Sequence, residues 1–276
     1  MFATLSGLNL STTEPDTGVQ WTSKPIDGWG GAASRRVSTP KTRKPGAWSG
    51  NGYSDERPIA MSGVVQAPSE AALSEALDRL IDACSFDDTL LTITEPDRSR
   101  WCMVHRTGAV LTPRLSPTVA AWSVQVSADD PRKMYAPITA STGLPSSSGG
   151  LTVPYVIPYT ISAVQTSGQV SIYNAGNETG PVTMRIDGPC VGPVITHVGS
   201  GLSLVFAASL TLGAGEWLDI DMEGHSALAN GGPTRAQFIT SRQWSGLEPG
   251  SNTWSFSAAS YSPSALLTIT ATPADK

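Results

Sequence analysis

At 276 residues the chain is larger than one hydrophobic core usually supports, domains running to roughly 100–200 residues, so two domains are expected. Hydrophobic residues make up 39% and charged residues only 15%, with 27 Gly and 21 Pro spread along the chain, a composition that reads as globular, turn-rich and β-leaning. The net charge is −5, three widely spaced cysteines (Cys84, Cys102, Cys190) exclude a disulfide framework, and no apolar run approaches the ~20 residues of a membrane span.

The N-terminus, MFATLSGLNLSTTEPD, has neither the cationic region nor the sustained apolar core of a signal peptide, so synthesis as a soluble protein in a cytoplasm is expected. Short extended runs at 2–8, 34–39 and 57–66 are separated by turn chemistry, with Asn51-Gly52 as the strongest hairpin signal. The segment from Ser69 to Cys84 breaks this pattern. It places Leu73, Ala76, Leu77, Leu80, Ile81 and Cys84 at spacings of three and four, which predicts a helix with Ser69 as its N-cap and Glu70 favoured by the dipole. Strands follow at 89–95, 100–106 and 120–126, the last with Trp122, Val124 and Val126 on one face. One helix laid on a sheet is an α+β domain ending near Ala128. Three prolines and a Ser/Gly tract then mark residues 131–150 as a connection. Beyond Leu151 short alternating runs recur at 170–173, 181–187, 191–197, 202–207, 216–222, 236–240, 252–257 and 265–271, which predicts a β-sandwich.

Catalytic signatures are weak. Gly224-His225-Ser226-Ala227-Leu228 lacks the closing glycine of a nucleophile elbow, and His105, His197 and His225 show no zinc-binding spacing. Asp219, Asp221 and Glu223 alternate along one strand and would suit calcium or glycoside cleavage, but Leu218, Ile220 and Met222 supply the inner face, so a solvated outer face is expected. Gly28-Trp29-Gly30-Gly31-Ala32-Ala33 fits a loose dinucleotide pattern without the helix that must follow it. No catalytic residue, cofactor or metal ligand is assigned, and the chain is expected not to be an enzyme.

Charge is uneven. Residues 1–150 hold 14 Lys+Arg against 15 Asp+Glu, residues 151–276 hold 4 against 8, and Arg35, Arg36, Lys41, Arg43 and Lys44 put five cations into ten residues. Such a run can neutralise phosphates, but the chain is acidic and has no aromatic-interleaved groove, so a contact with a protein partner is expected rather than direct nucleic-acid binding. Among eight tryptophans, Trp122 and Trp254 sit in alternating strands as core, whereas Trp29 and Trp48 flank glycines in loops and would suit an interface anchor or a sugar platform.

Several segments resemble, in order, the distal tail proteins of long-tailed bacteriophages. In the first half these are Asp27-Gly28-Trp29-Gly30, Gly46-Ala47-Trp48, Arg57-Pro58-Ile59 with Gly63, the single helix, and the exit Ala128-Asp129-Asp130-Pro131-Arg132-Lys133. In the second half they are Tyr173-Asn174-Ala175-Gly176-Asn177, the run from Pro181 to Cys190, Pro193-Val194-Ile195, Leu202 to Phe206, Gly215 to Asp221, Asn230-Gly231 and Trp244 to Asn252.

The resemblance implies a mainly β protein. Residues 1–130 would form a tail-tube-like domain that assembles as a six-fold ring, 131–150 a linker, and 151–276 a galectin-like or carbohydrate-module-like sandwich. It further implies a virion protein at the distal end of the tail, whose partners are copies of itself, the tail tube protein, the tail hub and the receptor-binding proteins. Ring contacts are then expected at Trp29, Arg35, Arg36, Arg43, Lys44 and Trp48. Two other functions compete: a carbohydrate-binding module for host-surface glycan, contacting it through Trp217 and Trp244, and a glycan-cleaving enzyme using Asp219 and Asp221.

Overall fold

The computed structural model describes residues 1–148 and 164–276. The chain divides into two compact units, Met1–Tyr135 and Ala136–Asp275. Of the expected connection, Gly149 and Gly150 lie outside the described residues, as do 151–163 at the start of the expected sandwich.

The first unit contains, in chain order, β1 (Phe2–Leu5), β2 (Leu8–Asn9), β3 (Gln20–Ser23), β4 (Ser34–Pro40), β5 (Ala47–Ser54), β6 (Arg57–Gln66), α1 (Glu70–Ala83), β7 (Thr89–Thr94), β8 (Ser99–Arg106), β9 (Arg114–Ser116), β10 (Val119–Ala128) and β11 (Lys133–Met134). Its sheet runs β2-β1-β7-β8-β10-β6-β3, with β9 added to β10 and β11 to β8. Neighbours on this path pair antiparallel, but β8 and β10 join through only two residue pairs, Val126 with Arg106 and Ser127 with His105. The sheet therefore has two well-paired halves meeting at a narrow junction. Both feed one core, with Leu5, Leu91, Ile93 and Val104 from one half and Ile59, Met61, Val65, Trp122 and Val124 from the other.

The helix closes that core as its periodicity requires. Leu73, Ala76, Leu77, Leu80 and Ala83 are buried, and the Ser69 hydroxyl accepts the Ala72 N–H, satisfying one of the orphan donors of the first turn. Ile81, expected on the buried stripe, is 41% exposed, because it lies at the margin of a stripe already filled by its neighbours. Trp21, on a strand too short for alternation to reveal, packs edge-to-face on Trp122 with ring centroids 6.2 Å apart.

Asn51-Gly52 does not form a hairpin turn. It lies within β5, and the reversal occurs at 41–46, where the Lys41 N–H donates to the Gly46 carbonyl at 3.0 Å. Gly52 leaves room for a side chain instead: a Cβ there would stand 3.2 Å from the Arg36 guanidinium, at the register shift between Arg36 and Ser38.

In the second unit the strands are β12 (Ile138–Gly143), β13 (Ser146–Ser148), β14 (Val164–Thr166), β15 (Gln169–Asn174), β16 (Val182–Asp187), β17 (Cys190–Val191), β18 (Val194–His197), β19 (Ser203–Phe206), β20 (Thr211–Leu212), β21 (Trp217–Asp221), β22 (Ser226–Ala229), β23 (Ile239–Arg242), β24 (Gly250–Ser257), β25 (Leu266–Ala271) and β26 (Ala274–Asp275). Two antiparallel five-stranded sheets, β12-β25-β16-β21-β22 and β15-β24-β18-β19-β23, share one core. Met184, Ile186, Leu218, Ile220, Leu267 and Ile269 come from the first sheet, and Ile172, Ile195, Phe206, Trp254 and Phe256 from the second. This is a β-sandwich, and the chain is mainly β as expected. Strand β12 lies where the composition suggests only a connection. Its run Ile-Thr-Ala-Ser-Thr-Gly has no apolar alternation because it is an edge strand, held by its backbone ladder to β25.

Polar side chains buried in this unit shape its loops. Asn174 donates to the Glu178 and Leu247 carbonyls and accepts the Gly176 N–H. Asn252 donates to the Glu248 and Gly250 carbonyls, accepts the Glu248 N–H, and meets His197 Nε2 at 3.1 Å. The motifs around 174 and 252 are thus loop-holding hubs, whose full hydrogen bonding offsets the cost of burying an amide.

Candidate assembly interface

The basic cluster stands on a two-stranded ribbon. Strands β4 and β5 pair with each other and with no other described strand, and every one of their residues is exposed. Arg35 and Arg36 lie on β4, Lys41, Arg43 and Lys44 in the turn, and Trp48 and Tyr53 on β5. Arg35 approaches the Asp55 carboxylate at 4.0 Å and Lys41 Nζ lies 4.8 Å from the centre of the Trp48 ring. On the ribbon itself Val37 (75%), Trp48 (71%) and Tyr53 (61%) are large apolar side chains left exposed. A bare two-stranded ribbon is marginal in water, and one that also carries bulky apolar side chains and clustered cations has the make-up of a contact surface.

Trp29 is separated from Trp48. It is 4% exposed in the first core, with Lys133 Nζ and the Arg100 guanidinium each 5.8 Å from its ring, so it offers no face to a partner. It sits instead at the ribbon's root. There Arg57, fully buried, donates from Nη1 to the carbonyls of Gly30 (2.8 Å), Gly28 (3.2 Å) and Trp29 (3.3 Å), and from Nε to that of Pro131 (2.8 Å). Lys133 Nζ also donates to the Gly30 carbonyl at 2.9 Å. Gly28 has φ +83°, and a Cβ on it would stand 1.9 Å from the Pro58 oxygen, so only glycine allows this approach. Burial lowers the Arg57 pKa, the neighbouring Arg100 charge adding to the effect, while burial pushes Cys102 beside it up to about 12 against the pull of the Arg57 charge. The three first-half motifs Asp27–Gly30, Arg57–Pro58 and Pro131–Lys133, far apart in sequence, therefore meet at one point. Sequence reasoning passed over Arg57 and Lys133. A signal was present: Arg57 occupies the inward position of the alternation Arg57, Ile59, Met61, where a cation must find a buried partner.

In the second unit the two tryptophans expected to meet glycan each have a neighbour against one ring face. The Arg185 guanidinium lies 4.5 Å from the Trp217 ring centre, and His225 stacks on Trp244 at 5.0 Å with 21° between the planes. Trp217 Nε1 donates to Asp219 at 2.8 Å, and one Asp221 oxygen accepts the N–H groups of Glu223 (3.0 Å) and Gly224 (2.9 Å). Both carboxylates thus serve local geometry, on the outer face as expected, while Glu223 lies beyond the strand. They line a cleft of about 400 Å³ with Thr183, Arg185, Ser226 and Thr270. Among the described residues no group of three or more His, Cys, Asp or Glu is placed to hold a metal ion, and no helix is long and apolar enough to cross a membrane.

No family model and no curated protein matches the chain. Its fold is similar to that of solved phage proteins. The crystal structure of SPP1 Dit (gp 19.1), described as a paradigm of the hub adsorption apparatus in phages infecting Gram-positive bacteria, aligns with 14% identity over 99% of this chain and 98% of that one, at a TM-score of 0.65. A chain of the phage P2 baseplate in its activated conformation with Ca aligns with 9% identity over 94% and 91%, at 0.52. The same baseplate with Sr gives 10% identity over 92% and 91%, at 0.51. The likeness runs through both units in one chain.

Proposed function

We propose that this chain is a structural, non-enzymatic protein of a bacteriophage tail tip, in which the first unit of several copies closes into a ring joining the tail tube to the hub and the receptor-binding apparatus. The domain assignment is part of the same reading: a tail-tube-like ring-forming unit, and a sandwich that follows it. The observation that carries it is the ribbon at 34–54, exposed at every strand residue, in a chain whose fold matches a hub adsorption protein from end to end. A ring needs heterologous contacts, one surface of each copy fitting a different surface of the next, and a protruding two-stranded element with clustered cations and bare aromatics supplies the first of these. Trp48, Arg35, Arg36, Arg43 and Lys44 are assigned to that contact. Trp29 supports it from beneath.

The expected outcome is a closed ring of six copies by light scattering and negative-stain imaging of the purified protein. Replacing Arg35, Arg36, Arg43 and Lys44 together by Glu should shift the protein to monomer with its thermal midpoint within about 2 °C of the parent, because exposed charges contribute little to folding. A parent that stays monomeric at every concentration, alone and with tail tube protein, would remove the ring. A ring unaffected by the charge reversal would move the contact away from the ribbon.

A further inference from the structure

The ribbon pairs with no other described strand, so its direction is decided where its two legs enter the body of the unit. That base is closed by the Asp55 N–H donating to the Ala33 carbonyl at 2.8 Å. Immediately below it the entering leg carries three successive carbonyls, those of Gly28, Trp29 and Gly30, which are turned toward a single buried guanidinium. The returning leg supplies that guanidinium, since Arg57 follows Asp55 by two residues. Its Nε reaches across to the Pro131 carbonyl, on the segment by which the chain leaves β10.

We infer that Arg57 is the positioning residue of the assembly ribbon: by bonding the carbonyls of the entering leg and of Pro131 from its place on the returning leg, it fixes the ribbon's direction relative to the body of the first unit. This rests on the reading of the ribbon as a ring contact. The chemistry calls for arginine. A planar fork with donors on both Nε and Nη1 can satisfy carbonyls lying in two directions, whereas an ammonium on a flexible stem offers a point charge and no fixed angle between its bonds. Lys133 is the contrasting donor, its ammonium on the exit segment meeting the Gly30 carbonyl at 2.9 Å and that of Trp29 at 3.4 Å. A ring closes only if each copy presents its contact at one angle, so a ribbon free to swing would lose closure while keeping every contact residue.

The test measures ribbon direction within one chain. Cysteines introduced at Ser49 on the ribbon and Ala71 on the helix, both exposed, carry nitroxide labels, while native Cys84, Cys102 and Cys190 are buried. Distances are read by pulsed dipolar spectroscopy, with labelled protein diluted into unlabelled. The parent should give one narrow distribution. Arg57→Met should broaden it about twofold or more while near-ultraviolet circular dichroism reports an intact tryptophan core, with Arg57→Lys intermediate. A folded Arg57→Met with unchanged position and width overturns the inference. Where Arg57→Met does not fold, an Arg57→Lys distribution identical to the parent's overturns it equally. Because the distance is intramolecular, it can be read whether or not rings form. Failure here leaves the ring reading standing, and failure of the ring leaves this distance to be judged separately.

Discussion

Single side chains in this protein tie separate segments together, and Glu14 shows how much one carboxylate can join. It accepts from Thr17 Oγ1 at 2.6 Å, from Trp21 Nε1 at 2.8 Å and from Arg79 at 2.9 Å, tying the N-terminal loop to β3 and to α1. Burial pushes its pKa up, but the hydrogen bonds from Thr17, Arg79 and Trp21 and the Arg79 charge together outweigh that and hold it below the ordinary carboxylate value. A carboxylate with a depressed folded-state pKa stabilises the fold fully above its unfolded value near 4.5, and the contribution is lost as pH falls through the folded one. Glu14→Gln should therefore cost about 2 kcal/mol at pH 7 in denaturant unfolding, with the gap to the parent closing as the pH is taken below about 4. A gap constant from pH 7 to 3 would show that packing, and not the charge, matters there. His197 bonds Ser200 and Asn252 and lies against Trp254, so its ring is used in packing. Arg57 was not legible as a node, because what defines it is the meeting of residues 28–30, 57 and 131.

Elements were legible wherever one face is buried and the other is wet. Helix α1 and strands β6, β7, β8, β10, β16, β21, β24 and β25 all follow their apolar period. Leu80→Ala should then destabilise by about 3 kcal/mol, while Ile81→Ala, at the stripe's margin, should stay within about 0.5 kcal/mol in the same denaturant titration. Equal costs would mean that the helix sits rotated on the sheet. Strands β5, β9 and β12 escaped notice for one reason: they bury no face or little of one, so their side chains carry no period, and only backbone pairing makes them strands. The ribbon is the extreme case. Its first strand was legible as the extended run at 34–39, but its second, exposed at every residue, was not, and the reversal falls at 41–46 rather than at Asn51-Gly52.

For the whole molecule, two cores with no residue in common predict two cooperative units. Leu267→Ala, in the centre of the second core, should lower one calorimetric transition and leave the other in place, whereas a single transition shifting as a whole would show the units unfolding together. Length pointed to two units, and composition with short alternating runs determined that the chain is β-rich, because Gly, Pro and period-two runs leave few other folds open. The order of weak motifs along the chain determined the resemblance to distal tail proteins. Tertiary structure decided what those motifs are for. Asn174 and Asn252 hold loops, Trp29 and Arg57 seat the ribbon, and Trp48 stands exposed on it beside Lys41. The reason is physical: a period along the chain records which side of an element is dry, and that much is local. Whether a buried cation finds carbonyls, or an apolar ring finds a neighbour, depends on residues brought together from distant parts of the chain, and only the folded backbone brings them there.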